Sequence, residues 1–136
     1  MQEIVTFNPF SGPVIEKIIP IIQAQSEIWI ACKLGGEDAN RAYNESVSLV
    51  LKGNLNKVAI EDAIEKLVKR HEALRATFSP DGRFMTIYEE FSIAPSFQDF
   101  SHFNSIEKSE AIKDYLKGDA NNIFDLNKGP LLKIGL

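Results

Sequence analysis

The 136-residue sequence has one cysteine, Cys32, and only two histidines, His71 and His102. A lone cysteine closes no internal disulfide, and with two distant histidines it offers no finger or zincin spacing, so no metal site is expected. Positive charge is scarce as well: 15 Lys+Arg against 19 Asp+Glu leave a formal charge of −4. That is the wrong sign for a surface gripping a phosphate backbone, and nucleic acid is not an expected partner. Long apolar runs are missing, so no membrane span is expected. Met1–Val5 lacks the basic-then-apolar layout of a signal peptide. No nucleophile-elbow motif supports a serine triad, and Gly35-Gly36 lacks the Lys-Ser/Thr that would make it a phosphate cradle. What these absences leave is a soluble, cytoplasmic, mildly acidic domain or part of one.

Residues 1–17 carry Asn8-Pro9 and Ser11-Gly12-Pro13, turn-favouring pairs that read as a leader or linker. Ile21, Ile22, Ala24, Ile28, Trp29 and Cys32 fall near helical spacing, which predicts a helix over 18–34 with Pro20 in its first turn and Gly35-Gly36 as its stop. Glu37–Asn40 reads as a polar loop. Val47, Leu49 and Leu51 alternate with Ser46, Ser48 and Lys52, which predicts a half-buried strand over 43–52. Asn56 is then the expected cap of the clearest helix, about 57–73. Its apolar stripe is Ile60, Ala63, Ile64, Leu67, Val68 and Leu74, with Asp62–Lys66 and Glu65–Lys69 as surface ion pairs.

Pro80-Asp81-Gly82 between β-prone runs predicts a hairpin over 74–88. A short edge strand is expected within 93–101, limited by Pro95. A third helix follows, capped by Ser105 and reaching Leu116 or Asp119. A capping box is not expected there, because Glu107 sits one position early for Ser105. Leu131–Leu136 reads as the opening of another strand. The order helix, strand, helix, hairpin, helix, strand predicts an α/β architecture, a two-layer α+β sandwich with helices packed on a mixed sheet.

Spacing alone assigns modest roles to the chemically interesting side chains. The acidic pairs Glu37-Asp38, Glu61-Asp62 and Glu89-Glu90 point different ways and read as solvated surface. His102 lies in a polar loop, His71 at a helix end where packing or hydrogen bonding outweighs catalysis, and Trp29 on a helix face suited to a core.

One run is more specific. Arg70-His71-Glu72-Ala73-Leu74-Arg75-Ala76-Thr77-Phe78 resembles the Arg-His-Glu-x-Leu-Arg-Thr-x-Phe signature of condensation domains of non-ribosomal peptide synthetases, with Ala76-Thr77 departing slightly from the usual order. Pro20–Trp29, built around Ala24-Gln25 and Trp29, is similar to the family's first motif, with Ile22 where Ser or Thr is common and Glu27 where Arg is common. Asn44 and Leu51–Asn56 fit the family's strand and helix entry, and Phe124–Lys133 is similar to the segment preceding its catalytic motif.

This resemblance implies the N-terminal lobe of a chloramphenicol-acetyltransferase-like fold, with residues 18–136 as a partial condensation domain truncated before its catalytic motif. It implies a domain that forms an amide between two thioester substrates, delivered on the 4′-phosphopantetheine arms of peptidyl and aminoacyl carrier protein domains. The remainder of the condensation domain and the adjacent synthetase domains are the other implied partners, and no cofactor is bound directly. The family's catalytic His-His-x-x-x-Asp-Gly does not occur in these 136 residues. No catalytic residue is therefore assigned, and the fragment by itself is expected to be inactive; the alternative is a non-catalytic module that docks a carrier protein or synthetase. Gln25, Trp29, Arg70, His71, Glu72 and Arg75 form the expected structural motif. Arg75 matches the family arginine that pairs with the Asp of the catalytic motif, and without that Asp it should face solvent or take another acid. Arg70 and Glu72 are expected to pair or to cap the helix end.

Overall fold

The computed structural model describes residues 12–136. Seven segments follow in order: strand β1 (Ile15–Pro20), helix α1 (Gln23–Ala42), helix α2 (Lys57–Arg70), a 3-10 turn (Glu72–Arg75), strands β2 (Ala76–Phe78) and β3 (Phe84–Tyr88), and helix α3 (Ser105–Ala120). The strands form one sheet in the order β1-β3-β2, with both pairings antiparallel. Parallel pairing enters outside them, at a bridge between Ser96 and Gly135. It is continued by the Gln98 amide, which donates to the Leu136 carbonyl at 2.8 Å. This bridge is all that forms of the strands expected within 93–101 and 131–136.

The hairpin follows the Pro-Asp-Gly signal. The Ser79 hydroxyl accepts from the amides of Arg83 (3.2 Å) and Phe84 (3.0 Å) and donates to Asp81 at 2.6 Å. These bonds close the turn around Gly82, whose φ of 64° suits a residue without a Cβ. The outer edge of β2 is covered: the Phe78 amide donates to the Leu126 carbonyl at 2.7 Å, and the Asn127 side chain donates to the Phe78 carbonyl at 2.9 Å.

Helix α2 ends at Arg70 rather than near Ala73, and three further helix boundaries differ from expectation for identifiable reasons. Residues 15–17, expected to close a leader, are the first half of β1, so α1 starts at Gln23 rather than Ile18. Ile15, Ile18 and Ile19 are β-branched residues that suit a pleated surface, and they pair with β3. Gly35-Gly36 does not stop α1. Gly36 takes a positive φ of 64° and kinks the helix, which resumes through Glu37–Asn40 to Ala42. Beyond the kink, Arg41 binds Glu37 and Asp38, each at 2.8 Å. Helix α3 is capped by Asn104, not Ser105. Counted from Asn104, Glu107 stands three positions on, and the full capping box forms: the Asn104 side chain accepts from the amides of Ile106 and Glu107, and Glu107 accepts from the Asn104 amide.

Residues 43–52 form no strand. Among the described residues, no backbone-to-backbone hydrogen bond involves 45–55, and Val47 is 84% exposed. Alternation creates a face, but a strand also needs a neighbour for its amides and carbonyls. The two ends of the stretch are nevertheless held. The Asn44 side chain donates to the Asn122 carbonyl at 2.7 Å, and Asn56 caps α2 by accepting from the Ala59 amide at 3.0 Å.

Helix α2 turns a narrower stripe inward than expected. Val68 is buried at 3% exposure, Ile60 and Ile64 are half-buried, but Leu67 is 45% exposed and Ala63 is exposed. Of the two expected ion pairs, Asp62–Lys66 forms at 2.6 Å. Val68 joins Ala76, Thr77, Ile87 and Arg75 in the buried set around the α2–β2 junction. Among the described residues, no helix is long and apolar enough to cross a membrane. Val68→Ala should destabilise the chain by about 2 kcal/mol in denaturant unfolding, whereas Leu67→Ala should cost less than about 1 kcal/mol. The reverse ranking would overturn this placement of the core.

Candidate functional site

The chemically dense region is the junction where α2 ends, the 3-10 turn follows and β2 begins, which is the Arg70–Phe78 run. The chain reverses there within a few residues. The His71 amide donates to the Leu67 carbonyl, ending α2, and the His71 carbonyl accepts from the Leu74 amide, opening the 3-10 turn, both at 3.0 Å. His71 itself is exposed, so its contribution to this junction is through the backbone.

Arg75 is the buried charge of the junction, 5% exposed. Its Nε donates to the Val68 carbonyl at 3.1 Å and its Nη2 to the Lys69 carbonyl at 3.3 Å. Nη1 donates to the Glu16 carboxylate at 2.8 Å, to the Glu89 carbonyl at 3.1 Å and to the Tyr88 carbonyl. One guanidinium thus closes the last turn of α2 and holds it to β1 and to the end of β3. Arginine suits this place because it keeps its charge when buried and presents donors in a fixed fork. Of the two outcomes expected without a catalytic Asp, Arg75 takes another acid. The bond from Arg75, reinforced by its charge, holds the Glu16 carboxyl below the usual carboxylate range.

The other motif residues do not contact the Arg75 guanidinium through their side chains. Arg70 and Glu72 do not pair with each other, since the Glu72 carboxylate bonds Lys17 of β1 at 2.6 Å. Gln25 lies in the first turn of α1, where its side chain accepts from the Ile22 amide at 3.0 Å. Trp29 is half-buried against the hairpin turn, where a Cβ on Gly82 would fall 2.4 Å from its ring. His102 is exposed in a loop and meets the Phe103 ring edge-on, with centroids 4.4 Å apart. Cys32 is buried on α1, and burial pushes its thiol pKa up, away from a reactive thiolate.

Glu16 and Lys17 are the residues that the sequence reading missed. Both fall at the end of the 1–17 stretch, where Ile15 together with Ile18 and Ile19 is a usable strand signal. Beside the junction runs a groove of about 530 Å³ between α2 and residues 89–95, with Val68 and Arg75 in its lining and Glu61, Glu65, Glu89 and Glu90 exposed along it. Among the described residues, no three His, Cys, Asp or Glu side chains gather closely enough to hold a metal.

Comparison with known proteins supplies the context for this junction. The chain is 30% identical over 121 residues to chondramide synthase cmdD of Chondromyces crocatus, covering 88% of this chain and 3% of that protein. It is 31% identical over 131 residues to surfactin synthase subunit 2 of Bacillus subtilis, covering 94% of this chain and 3% of that protein. Among solved structures, the starter condensation domain of rhizomide synthetase RzmA superposes with a TM-score of 0.69 at 19% identity, over 88% of this chain and 29% of that one. The four-domain nonribosomal peptide synthetase AB3403 superposes with a TM-score of 0.64 at 21% identity, over 91% of this chain and 9% of that one. The shared fold is the chloramphenicol-acetyltransferase-like fold of condensation domains, of which this chain spans less than a third.

Two outcomes test the construction of the junction. Glu16 is a depressed carboxylate, so its contribution to stability is present above its unfolded pKa and is lost as pH falls through the lower folded value. Unfolding of Glu16→Gln should therefore lose that acid-side pH dependence relative to wild type. Gly82→Ala should destabilise by about 2 kcal/mol or more, because the new methyl meets the Trp29 ring and the backbone keeps a positive φ. Residues 15–136 match the family described as Condensation domain, and the chain belongs to that family.

Proposed function

We propose that this chain supplies the N-terminal part of a domain that joins two carrier-bound thioester substrates through an amide bond. The observation that carries this reading is the continuous family match over residues 15–136, with its Arg70–Phe78 run folded into one junction around a buried arginine. In the proposed reaction, the acceptor amine attacks the donor thioester carbonyl. The C–N bond forms, the C–S bond breaks, the donor arm leaves as a thiol and the amine gives up a proton. Peptidyl and aminoacyl carrier domains bring both substrates on 4′-phosphopantetheine arms, and no cofactor is held by this chain.

Within this reading, the partial domain covers the family match, residues 15–136. Gln25, Trp29, Arg70, His71, Glu72 and Arg75 are structural. The proton-handling histidine belongs to the His-His-x-x-x-Asp-Gly sequence, in a part of the domain supplied from elsewhere. Neither His71 nor His102 replaces it, since neither has a neighbouring histidine or the following Asp-Gly.

The reading is tested by the gene and by the protein. The reading frame beyond the Leu136 codon should continue into His-His-x-x-x-Asp-Gly, and the longer product should convert two loaded carrier proteins into an amide-linked product seen by mass spectrometry. The purified 136-residue chain should give none. A stop codon directly after Leu136, or turnover by the short chain at the rate of a complete domain, would overturn it.

A further inference from the structure

We propose that Tyr115 is a positioning residue: its hydroxyl, seated over Gly135, admits a single register of the 131–136 segment against 96–98. The functional consequence rests on the reading above, in which the catalytic histidine motif follows that segment.

The pairing between these two segments is short. Beside the Gln98–Leu136 bond, the Ser96 amide donates to the Ile134 carbonyl at 2.9 Å and the Leu136 amide to the Ser96 carbonyl at 2.8 Å. So few main-chain bonds choose a register weakly, since a slipped segment offers the same amides and carbonyls to its neighbour.

Helix α3 supplies the choice. Its half-buried residues are Ala111, Tyr115 and Asp119, four apart and so on one line, and every other residue of the helix is exposed. That line lies on the paired segments. Asp119 meets Lys133 at 3.0 Å, and the hydroxyls of Tyr115 and Ser96 share a hydrogen bond of 3.0 Å. The Ser96 hydroxyl donates to the Ile134 carbonyl at 3.4 Å, which leaves it to accept from Tyr115.

Gly135 passes directly beneath this phenol. A Cβ there would overlap the Tyr115 hydroxyl and lie 2.8 Å from Cζ. The φ of Gly135 is outside the left-handed region, so the glycine answers a lack of space and not a backbone need. Leu131, Leu132, Lys133, Ile134 and Leu136 all carry a Cβ. Any slip therefore drives a side chain into Tyr115, and only the observed register fits. The scale matters: one residue of slip moves a strand by about 3.3 Å, whereas about 1 Å of misplacement at a reacting centre costs on the order of a hundredfold in rate. Tyr115 thus acts on catalysis through Gly135, by fixing where the following motif begins.

NMR of the 136-residue chain reads the register from the contacts of Ser96 and the exchange of the Gln98 amide. Wild type should show one register, with Ser96 opposite Gly135. Gly135→Ala should speed Gln98 exchange roughly tenfold or more, and adding Tyr115→Ala should recover most of that loss. Unchanged exchange in Gly135→Ala, or an equal loss in the double variant, would overturn the proposal. In a complete domain carrying this segment, Gly135→Ala should lower kcat roughly tenfold or more and change KM for the loaded carriers less than about twofold. A loss confined to KM would overturn the positioning role. A wild-type domain that forms no amide would refute the functional reading and leave the NMR result standing.

Discussion

The described structure depends first on the burial of one charge. Arg75 enters the interior at the point where α2 gives way to β2, and a bare cation there would be costly. It is stabilised by four main-chain carbonyls and one carboxylate, contributed by the end of α2, the end of β3 and a bulge in β1. The acceptors sit at the end of α2, at and just past the end of β3 and in the bulge of β1, so satisfying the charge ties these three places together. The small buried set around it (Val68, Ala76, Thr77, Ile87) is apolar apart from Thr77. The polar network therefore adds direction to a core that by itself would be short of it.

Away from that junction, much apolar surface is uncovered. Val47, Leu49 and Val50 are all more than three-quarters exposed, and Ile18, Ile22 and Leu34 also face outward. In a complete small domain, patches of this kind mark contact surfaces. That agrees with a chain spanning 29% of a solved condensation domain and 3% of the synthetases it matches. Local fixation is nonetheless good: Asn40 and the Phe124 main chain exchange two hydrogen bonds of 3.0 Å, tying the kinked end of α1 to the segment after α3.

The legible features were those whose cause is local. Asn56 caps α2 because a short side-chain acceptor reaches an amide three residues on, and Ser79-Pro80-Asp81-Gly82 closes a hairpin because its own side chains satisfy the turn. The box at α3 was legible too, but only with the cap placed one residue earlier, at Asn104. The Arg70–Phe78 run pointed to the family, and the family match over 15–136 agrees with it. The larger misreading was non-local. The 43–52 alternation needed a partner strand that the described residues do not provide, and Gly36 gave a kink where a stop was expected.

Neighbouring residues alone thus carry the family, the hairpin, the Asn56 cap of α2 and the identity of the one arginine worth watching. What Arg75 holds was not legible in those neighbours. Glu16 lies 59 positions away in sequence, and its carboxylate reaches the guanidinium because β1 pairs with β3 and bulges at that residue. Strand pairing and the choice of counter-ion are long-range events, settled by which backbone groups and charges must be satisfied together in the interior.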